Sequence, residues 1–317
     1  MRQHHIVERC LCDWETWMFC STIIPTIGRE TLAVAVSSVL TQEGVFGDSE
    51  VIVVNDSGRS LPSAEWQQSP KVRILDTCRR ERCVARNSGA AIARGKYLHF
   101  LDDDDILLPG ALSALWQLSE QNQDATWLYG SYQTVDNNGA LVSIWHPRLT
   151  GHIFPQLVAG ESIPFQASLL LSSHFFAVGM FDPHPAILGV EDRDVGRRMA
   201  FSGRVAYQPS VVAQIRIGEQ NSTTNWSTIA ESDRWGREKA LRLEGATTQL
   251  RRSAKSAYWR GRVFQAILAS ARWNLSRRAG FTAASRVVAA LPFAGNAAFS
   301  RDFWSGVMRR DTNIYHA

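Results

Sequence analysis

Residues Tyr97 to Pro109 read YLHFLDDDDILLP. A short apolar run hands over to four consecutive carboxylates, Asp102, Asp103, Asp104 and Asp105, and then to a proline suited to the first turn of a helix. Two like charges 4 Å apart repel by about 4 kcal/mol at an effective dielectric near 20, so a fold that packs these acids together needs positive charge there. Oxygen-only ligands suit hard cations, and Mg or Mn typically takes one or two carboxylates while phosphate oxygens complete the shell. The expected partner is therefore a nucleotide diphosphate held through a divalent cation, with a solvated acidic turn as the alternative. Position favours the first reading, because the run follows a strand and precedes a helix, where open α/β sheets bind ligands.

Outward from this stretch, the first 230 residues alternate short apolar segments with helical patterns, which implies a largely parallel sheet covered by helices. FCSTII (Phe19–Ile24) reads as a strand that stops at Pro25, and Arg29–Gln42 carries Leu32, Val36, Val39 and Leu40 at helical spacing. EVIVV (Glu50–Val54) is a β-branched run suited to a strand buried on both faces, and VRIL (Val72–Leu75) is a third strand. Arg82–Arg94 predicts a small-residue helix ended by Gly95, and a further helix runs from Pro109 to about Glu120. Thr126–Val135 and Leu141–Trp145 flank Asp136-Asn137-Asn138-Gly139 as a hairpin; Ala167–Leu171 is a strand and Glu191–Ser202 a helix closed by Gly203. Past Ser232 the chain reads as helical, with Leu250, Ala257, Phe264, Ile267, Ala271 and Leu275 near one face.

With 317 residues, 45% of them hydrophobic, the chain has ample material for a core, and no apolar run approaches the ~18 residues of a membrane-spanning helix. The opening MRQHHIVERCLCDW places charges and His where a signal peptide needs an apolar core, so the cytoplasm is the expected location. Five cysteines without a CxxC pair indicate neither a zinc site nor a disulfide framework. Charge is unevenly spread: residues 231–317 hold 16 basic and 6 acidic side chains, against 18 and 24 in residues 1–230, for net charges of +10 and −6. From Gly245 to Arg301 there are ten basic residues and no acid. An anionic membrane surface, on the inner face of the plasma membrane, is a candidate partner for 245–301, with packing on the rest of the chain or on a second subunit as the alternative. No nucleic-acid fold accompanies the charge, so nucleic acid is not an expected partner.

Three further clusters sit at strand ends: Pro25-Thr26, Asn55-Asp56-Ser57-Gly58, and Arg82-Cys83-Val84-Ala85-Arg86-Asn87 at the start of a helix. Each alone is ordinary turn or helix-start chemistry; facing one crevice, they would supply acceptors for a base or ribose and a cation for phosphate. The ordered set STIIPT, EVIVVNDS, ARNSGAAIARGKYLHFLDDDD, GMFD and GVEDRDVGRRMAFSG resembles the family 2 glycosyltransferases, over about residues 19–224. The resemblance implies an α/β GT-A-like fold, with a Rossmann-type mixed, mainly parallel sheet flanked by helices. It implies a catalytic domain over 19–230, with a nucleotide-binding half (19–108) and an acceptor half (109–230), between an N-terminal extension (1–18) and a basic helical region (231–317).

Carried over to this chain, the resemblance implies that Pro25, Thr26, Asn55 and Asp56 hold the nucleoside and that Arg86 orients the nucleotide. Asp102 and Asp104 match the DxD motif, with Asp104 as a ligand of a Mg or Mn ion and Asp102 against the ribose or the metal. Asp103 is assigned to the nucleotide site, although strand geometry would turn it to the opposite pleat, and Asp105 would cap the next helix. Glu191 and Asp192 match the ED motif, with Asp192 as catalytic base and Glu191 poising it; the alternative is that both only favour a helix N-terminus. The implied reaction is inverting transfer of a sugar from a UDP- or dTDP-sugar to a hydroxyl of a glycan or lipid-linked acceptor in cell-surface polysaccharide synthesis. One departure stands out: relatives often place a His two residues after an Arg that follows the ED helix, and here Arg216-Ile217-Gly218 puts glycine there, leaving Glu219, water or no third ligand. A catalytically inactive nucleotide-sugar-binding relative, and an oligomer, remain alternatives. Trp127, Trp145 and Tyr132 suit core packing better than sugar stacking.

Overall fold

The apolar runs of the first hundred residues pair side by side. The computed structural model describes residues 18–44, 48–218 and 226–309; the N-terminal extension up to residue 17, Glu219 and the loop after it lie outside the described residues. The strands are β1 (Met18–Thr26), β2 (Asp48–Asn55), β3 (Val72–Asp76), β4 (Tyr97–Phe100), β5 (Ile106–Leu107), β6 (Trp127–Val135), β7 (Leu141–Trp145), β8 (Ser168–Leu171) and β9 (Val205–Arg216). Among the described residues they form one mixed sheet in the order β3-β2-β1-β4-β8-β6-β9-β5, with β7 paired to β6. β3, β2, β1 and β4 are parallel, whereas β8 runs antiparallel to both β4 and β6. Strand order therefore reverses at β1, and the carboxyl ends of β1 and β4 flank a topological switch point, the place where open α/β sheets bind ligands.

Alternation along the strands sends apolar side chains to both faces. Ile24, Val51, Val53 and Leu101 pack with Leu32 and Val36 of α1 (Leu32–Leu40) and Leu112 and Leu115 of α3 (Ala111–Gln121). On the other face Ile23, Ile52, Val54, Leu98 and Phe100 meet α2 (Arg82–Ile92), α4 (Phe154–Val158), α5 (Ser172–Ala177) and α6 (Glu191–Ser202). Each such fully buried side chain stabilises by roughly 1.5–3 kcal/mol. Gly89 explains one fixed letter of the ARNSG segment, since a Cβ there would lie 2.6 Å from Ile23 Cγ2 and would lift α2 off the sheet.

Several local expectations are corrected. β1 continues through Pro25 to Thr26. The Ile23 carbonyl accepts from Leu101 N, so residues of that parity face β4; Pro25 lies past the end of β4, where its missing N–H costs no ladder bond. Asp105 does not cap a helix: α3 begins at Ala111 behind Gly110, whose φ of 79° suits glycine. Leu250 and Leu275 do not share one helix. The chain forms α8 (Ala246–Arg252) and α9 (Ser256–Ser276), separated at Lys255, whose φ is 58°, and Leu275 is exposed. Trp127 and Tyr132 are buried in the core, and Cys20, Cys78 and Cys83 are free thiols.

The remaining helices are α7 (Trp226–Leu241), α10 (Gly280–Ala294) and α11 (Arg301–Met308). The division expected at 230/231 falls inside α7, and Leu250, Val263, Ile267 and Ala290 belong to the same buried cluster as the sheet. A buried ionic knot joins α7 to α6: Asp233 receives Arg197 Nη2 at 2.5 Å and Arg237 Nη2 at 2.7 Å, while Arg237 Nε donates to the Val158 carbonyl at 2.7 Å. Burial by itself would raise the Asp233 pKa, but Arg197, Arg237 and Arg193 outweigh it and hold the carboxyl far below the usual range. Because the folded pKa is depressed, this stabilisation is present above the unfolded value near 3.9 and fades as pH falls below it. Asp233→Asn, which strands buried arginines, is predicted to lower stability in urea melts by about 3 kcal/mol at pH 7, with a smaller difference from wild type at pH 3.5.

Candidate active site

A cleft of about 400 Å³ opens over the carboxyl ends of β1, β2 and β4 and the start of α6, lined by Pro25, Thr26, Asp56, Arg86, Asp102, Asp103, Asp104, Asp105, Glu191 and Asp192 among others. The Asp run leaves β4 as a tight turn, with Asp105 N bonded to the Asp102 carbonyl at 3.1 Å. That turn divides the four acids. Asp102 and Asp104 are partly exposed, while Asp103 and Asp105 are buried.

Each acid has its own anchor. Asp103 Oδ2 accepts from Thr26 Oγ1 at 2.6 Å, and Arg29 Nη1 reaches Asp103 Oδ1 at 3.0 Å and Asp104 Oδ2 at 2.8 Å. Asp105 Oδ1 accepts from Arg216 N at 2.8 Å, tying the turn to the end of β9. Asp102 Oδ1 accepts from Arg86 Nη2 at 2.6 Å and its Oδ2 from Gln166 Nε2 at 3.1 Å. Arg86 Nη1 then donates to Glu191 Oε1 at 3.0 Å, a carboxylate that also meets Arg82 at 3.3 Å and accepts from Gly189 N at 2.8 Å through Oε2. Arg86 thus spans the two acidic segments, 105 residues apart from Glu191 in sequence. Next to it Asn87 exchanges two hydrogen bonds with the backbone of Phe181, docking GMFD against α2.

Local charge follows from this geometry. Burial raises the Asp102 pKa, but Arg86 more than offsets it and leaves the carboxyl below its ordinary value. Asp103 and Asp104 lie above theirs, chiefly through burial, with Asp102 adding to the shift and Arg29 opposing it. Asp105 is pushed well above, by burial and then by Asp102 and Asp104. Asp192 is raised by burial first and by neighbouring Glu191 second, which is the direction a carboxylate general base requires. Arg193 N donates to Asp192 Oδ1 at 2.7 Å.

The structure brings together Pro25, Thr26, Asp56, Arg86, Asp102 to Asp105, Glu191 and Asp192. Asn55 is a correction: it does not line the cleft, because its amide bonds the Arg59 carbonyl and Asp76 and its Oδ1 accepts from Ser57, so it shapes the loop after β2. Asp56 lines the cleft but its carboxylate also accepts from Thr77 Oγ1, Arg79 N and Glu81 N, holding the 77–81 segment. Arg29 and Gln166 were missed. Arg29 had a signal, a cation four residues beyond Pro25 at a strand end; Gln166 had none, being delivered by a short turn before β8.

No group of three or more His, Cys, Asp or Glu is placed to hold a metal among the described residues. Gly218 stands at the position of the expected histidine, with the side-chain amide of the exposed Asn137 beside it. Asp102 and Asp104, the two acids of the turn that reach the surface of the cleft, fit an ion that takes the rest of its ligands from phosphate and water, as Mg commonly does, and do not fit an all-protein cage.

Residues 21–170 match the profile of Glycosyl transferase family 2. An uncharacterized glycosyltransferase of Haemophilus influenzae is 29% identical over 144 residues, covering 45% of this chain and 47% of that protein. The Escherichia coli UDP-Glc:alpha-D-GlcNAc-diphosphoundecaprenol beta-1,3-glucosyltransferase WfgD is 27% identical over 122 residues, 37% of this chain and 47% of WfgD. The chain thus spans less than half the length of these relatives. A crystal structure of S. aureus TarS in complex with UDP-GlcNAc superposes with a TM-score of 0.56 at 12% identity, covering 86% of this chain and 89% of that one, a likeness of fold. The sheet with its switch-point cleft is the GT-A-like architecture, and residues 21–170, from β1 into β8, are the part of the chain that is similar to glycosyltransferase family 2.

Replacing the bridging cation isolates the electrostatics of the cleft. Arg86→Met leaves Asp102 and Glu191 without their shared partner and is predicted to cost about 3 kcal/mol in urea unfolding at pH 7. The deficit should shrink at pH 5, because unpaired carboxyls have raised pKa values and protonation relieves them.

Proposed function

We propose that this chain is an inverting glycosyltransferase that moves a sugar from a UDP- or dTDP-type donor to a hydroxyl of a glycan or lipid-linked acceptor in the assembly of a cell-surface polysaccharide. The observation that carries this reading is the Arg86 bridge, which sets the Asp102–Asp105 turn and the Glu191-Asp192 pair in one cleft. Support for the substrate class comes from the relatives' printed activities, a UDP-Glc transfer to a diphosphoundecaprenol-linked sugar by WfgD and a poly(ribitol-phosphate) β-N-acetylglucosaminyl transfer by S. aureus TarP, 30% identical over 118 residues.

In this mechanism the nucleoside lies against Pro25, Thr26 and Asp56, and the diphosphate lies over Asp102 and Asp104. Those two acids would hold a Mg or Mn ion, which neutralises charge on the leaving diphosphate when bound. The acceptor hydroxyl attacks the anomeric carbon from the face opposite the diphosphate; a new C–O bond forms, the sugar–phosphate C–O bond breaks, and the electron pair leaves with the diphosphate. Asp192 takes the hydroxyl proton on Oδ2, while the Arg193 amide holds Oδ1 in place. Glu191, held by Arg86 and Arg82, lies beside Asp192 and adds to the rise that burial gives its pKa. Arg86 acts through both carboxylates as a positioning residue.

Two measurements test this. Asp192→Asn is predicted to lower kcat by about 10²–10⁴ with UDP affinity unchanged, and the wild-type rate should fall on the acid side with an apparent pKa above the ordinary carboxylate value near 4. Full transfer by the variant would contradict the assignment. Asp104→Asn is predicted to abolish the Mn-dependent part of UDP binding in calorimetry; binding that is equal with and without Mn in the wild type would remove the cation from the account.

A further inference from the structure

Helix α10 has its polarity reversed. Phe281, Ala284, Val288 and Leu291 recur at helical spacing on one side, and the three large ones are 91%, 65% and 56% exposed. The opposite side, where Ala283 and Ala290 are buried, rests on α9. The helix contains one charged residue, Arg286, and that side chain turns inward, with Nη1 3.8 Å from Glu238 Oε1 on α7. A helix facing water shows the opposite pattern, with apolar residues in and charge out.

The surroundings extend this surface. Of sixteen exposed large apolar side chains among the described residues, eight fall between Leu275 and Met308, so the concentration is regional. Phe299, 93% exposed, lies just beyond the far end of α10, and Trp304 and Met308 line a groove with Tyr258, Arg301 and Arg309. Exposed Arg277 and Arg278 precede the stripe and exposed Arg301 follows it. Residues 245–301 contain no acid to oppose them. No described helix is long and apolar enough to cross a membrane.

We propose that the outer face of α10, with Phe299, inserts into the headgroup boundary of an anionic lipid bilayer, while Arg277, Arg278 and Arg301 engage its phosphates. An apolar stripe flanked by cations, on a helix too short and too polar at its ends to span, is the arrangement of helices that lie in the interface plane. Charge decides between a bilayer and a second copy of the chain. The same basic region on both partners of a symmetric dimer would place like charges together, whereas an anionic leaflet attracts every one of them. Aromatic side chains such as Trp304 favour the wet end of such an interface. The inference is independent of the chemistry in the cleft.

Vesicle flotation of the full chain tests it. Wild-type protein is predicted to float with vesicles containing phosphatidylglycerol, to remain unbound with pure phosphatidylcholine, and to release in 1 M salt, where the Debye length falls to about 3 Å. The triple variant Phe281→Ser, Val288→Ser, Leu291→Ser removes exposed side chains and should lower partitioning at least tenfold at an unchanged melting temperature. Arg278→Gln with Arg301→Gln should lower it on the order of tenfold. Absence of flotation with anionic vesicles, equal flotation with neutral ones, or a triple variant that binds like wild type overturns the proposal. A wild-type dimer that the triple variant dissolves, without lipid binding, overturns it in favour of a second copy on this face.

Discussion

The arrangement of this molecule depends on a buried guanidinium shared between two acidic segments. Arg86, on the first turns of α2, holds Asp102 at 2.6 Å and Glu191 at 3.0 Å. Burial alone would lower its pKa; Asp102 and Glu191 more than offset that and fix the charge. Bidentate geometry of this kind suits Arg and not Lys, because the planar fork reaches two carboxylates along different edges. One side chain thereby couples the end of β4 to the start of α6, and the two acidic segments become a single electrostatic unit.

The rest of the acidic turn is balanced in the same way from other elements. Arg29 approaches from the segment after β1, the Arg216 amide from the end of β9, and Gln166 from the turn before β8. What remains is Asp104, paired with Arg29, facing a cleft that also carries Arg80, Arg82, Arg193 and Arg216, beside the buried Asp103 and Asp105, whose pKa values burial raises. Carboxylates that face the cleft beside these arginines suit a diphosphate that arrives with a cation, which is why Asp102 and Asp104 carry the proposed donor site.

Much of the fold was legible because its signals are local. β-branched runs, turn residues and helical spacing each report on neighbours within a few positions, and they placed α6, the 127–145 hairpin and the parallel strands close to where they occur. What depends on distant partners was not legible. Pro25 reads as a strand end until the length of β4 is known, and Asn55 reads as a ligand until the loop after β2 takes its amide. Gly218 lies beside the side-chain amide of Asn137, eighty-one positions earlier, a neighbour that only the folded hairpin supplies. The same limit hid the reversed face of α10, because an apolar helix of that composition reads as core until its packing partners are placed.

What the cleft binds decides the proposed function. A crystal structure of the chain with UDP and Mn is predicted to show the uracil and ribose against Pro25, Thr26 and Asp56, with the ion between the diphosphate and Asp104. A nucleotide bound elsewhere, or an empty cleft at millimolar UDP and Mn, would contradict it.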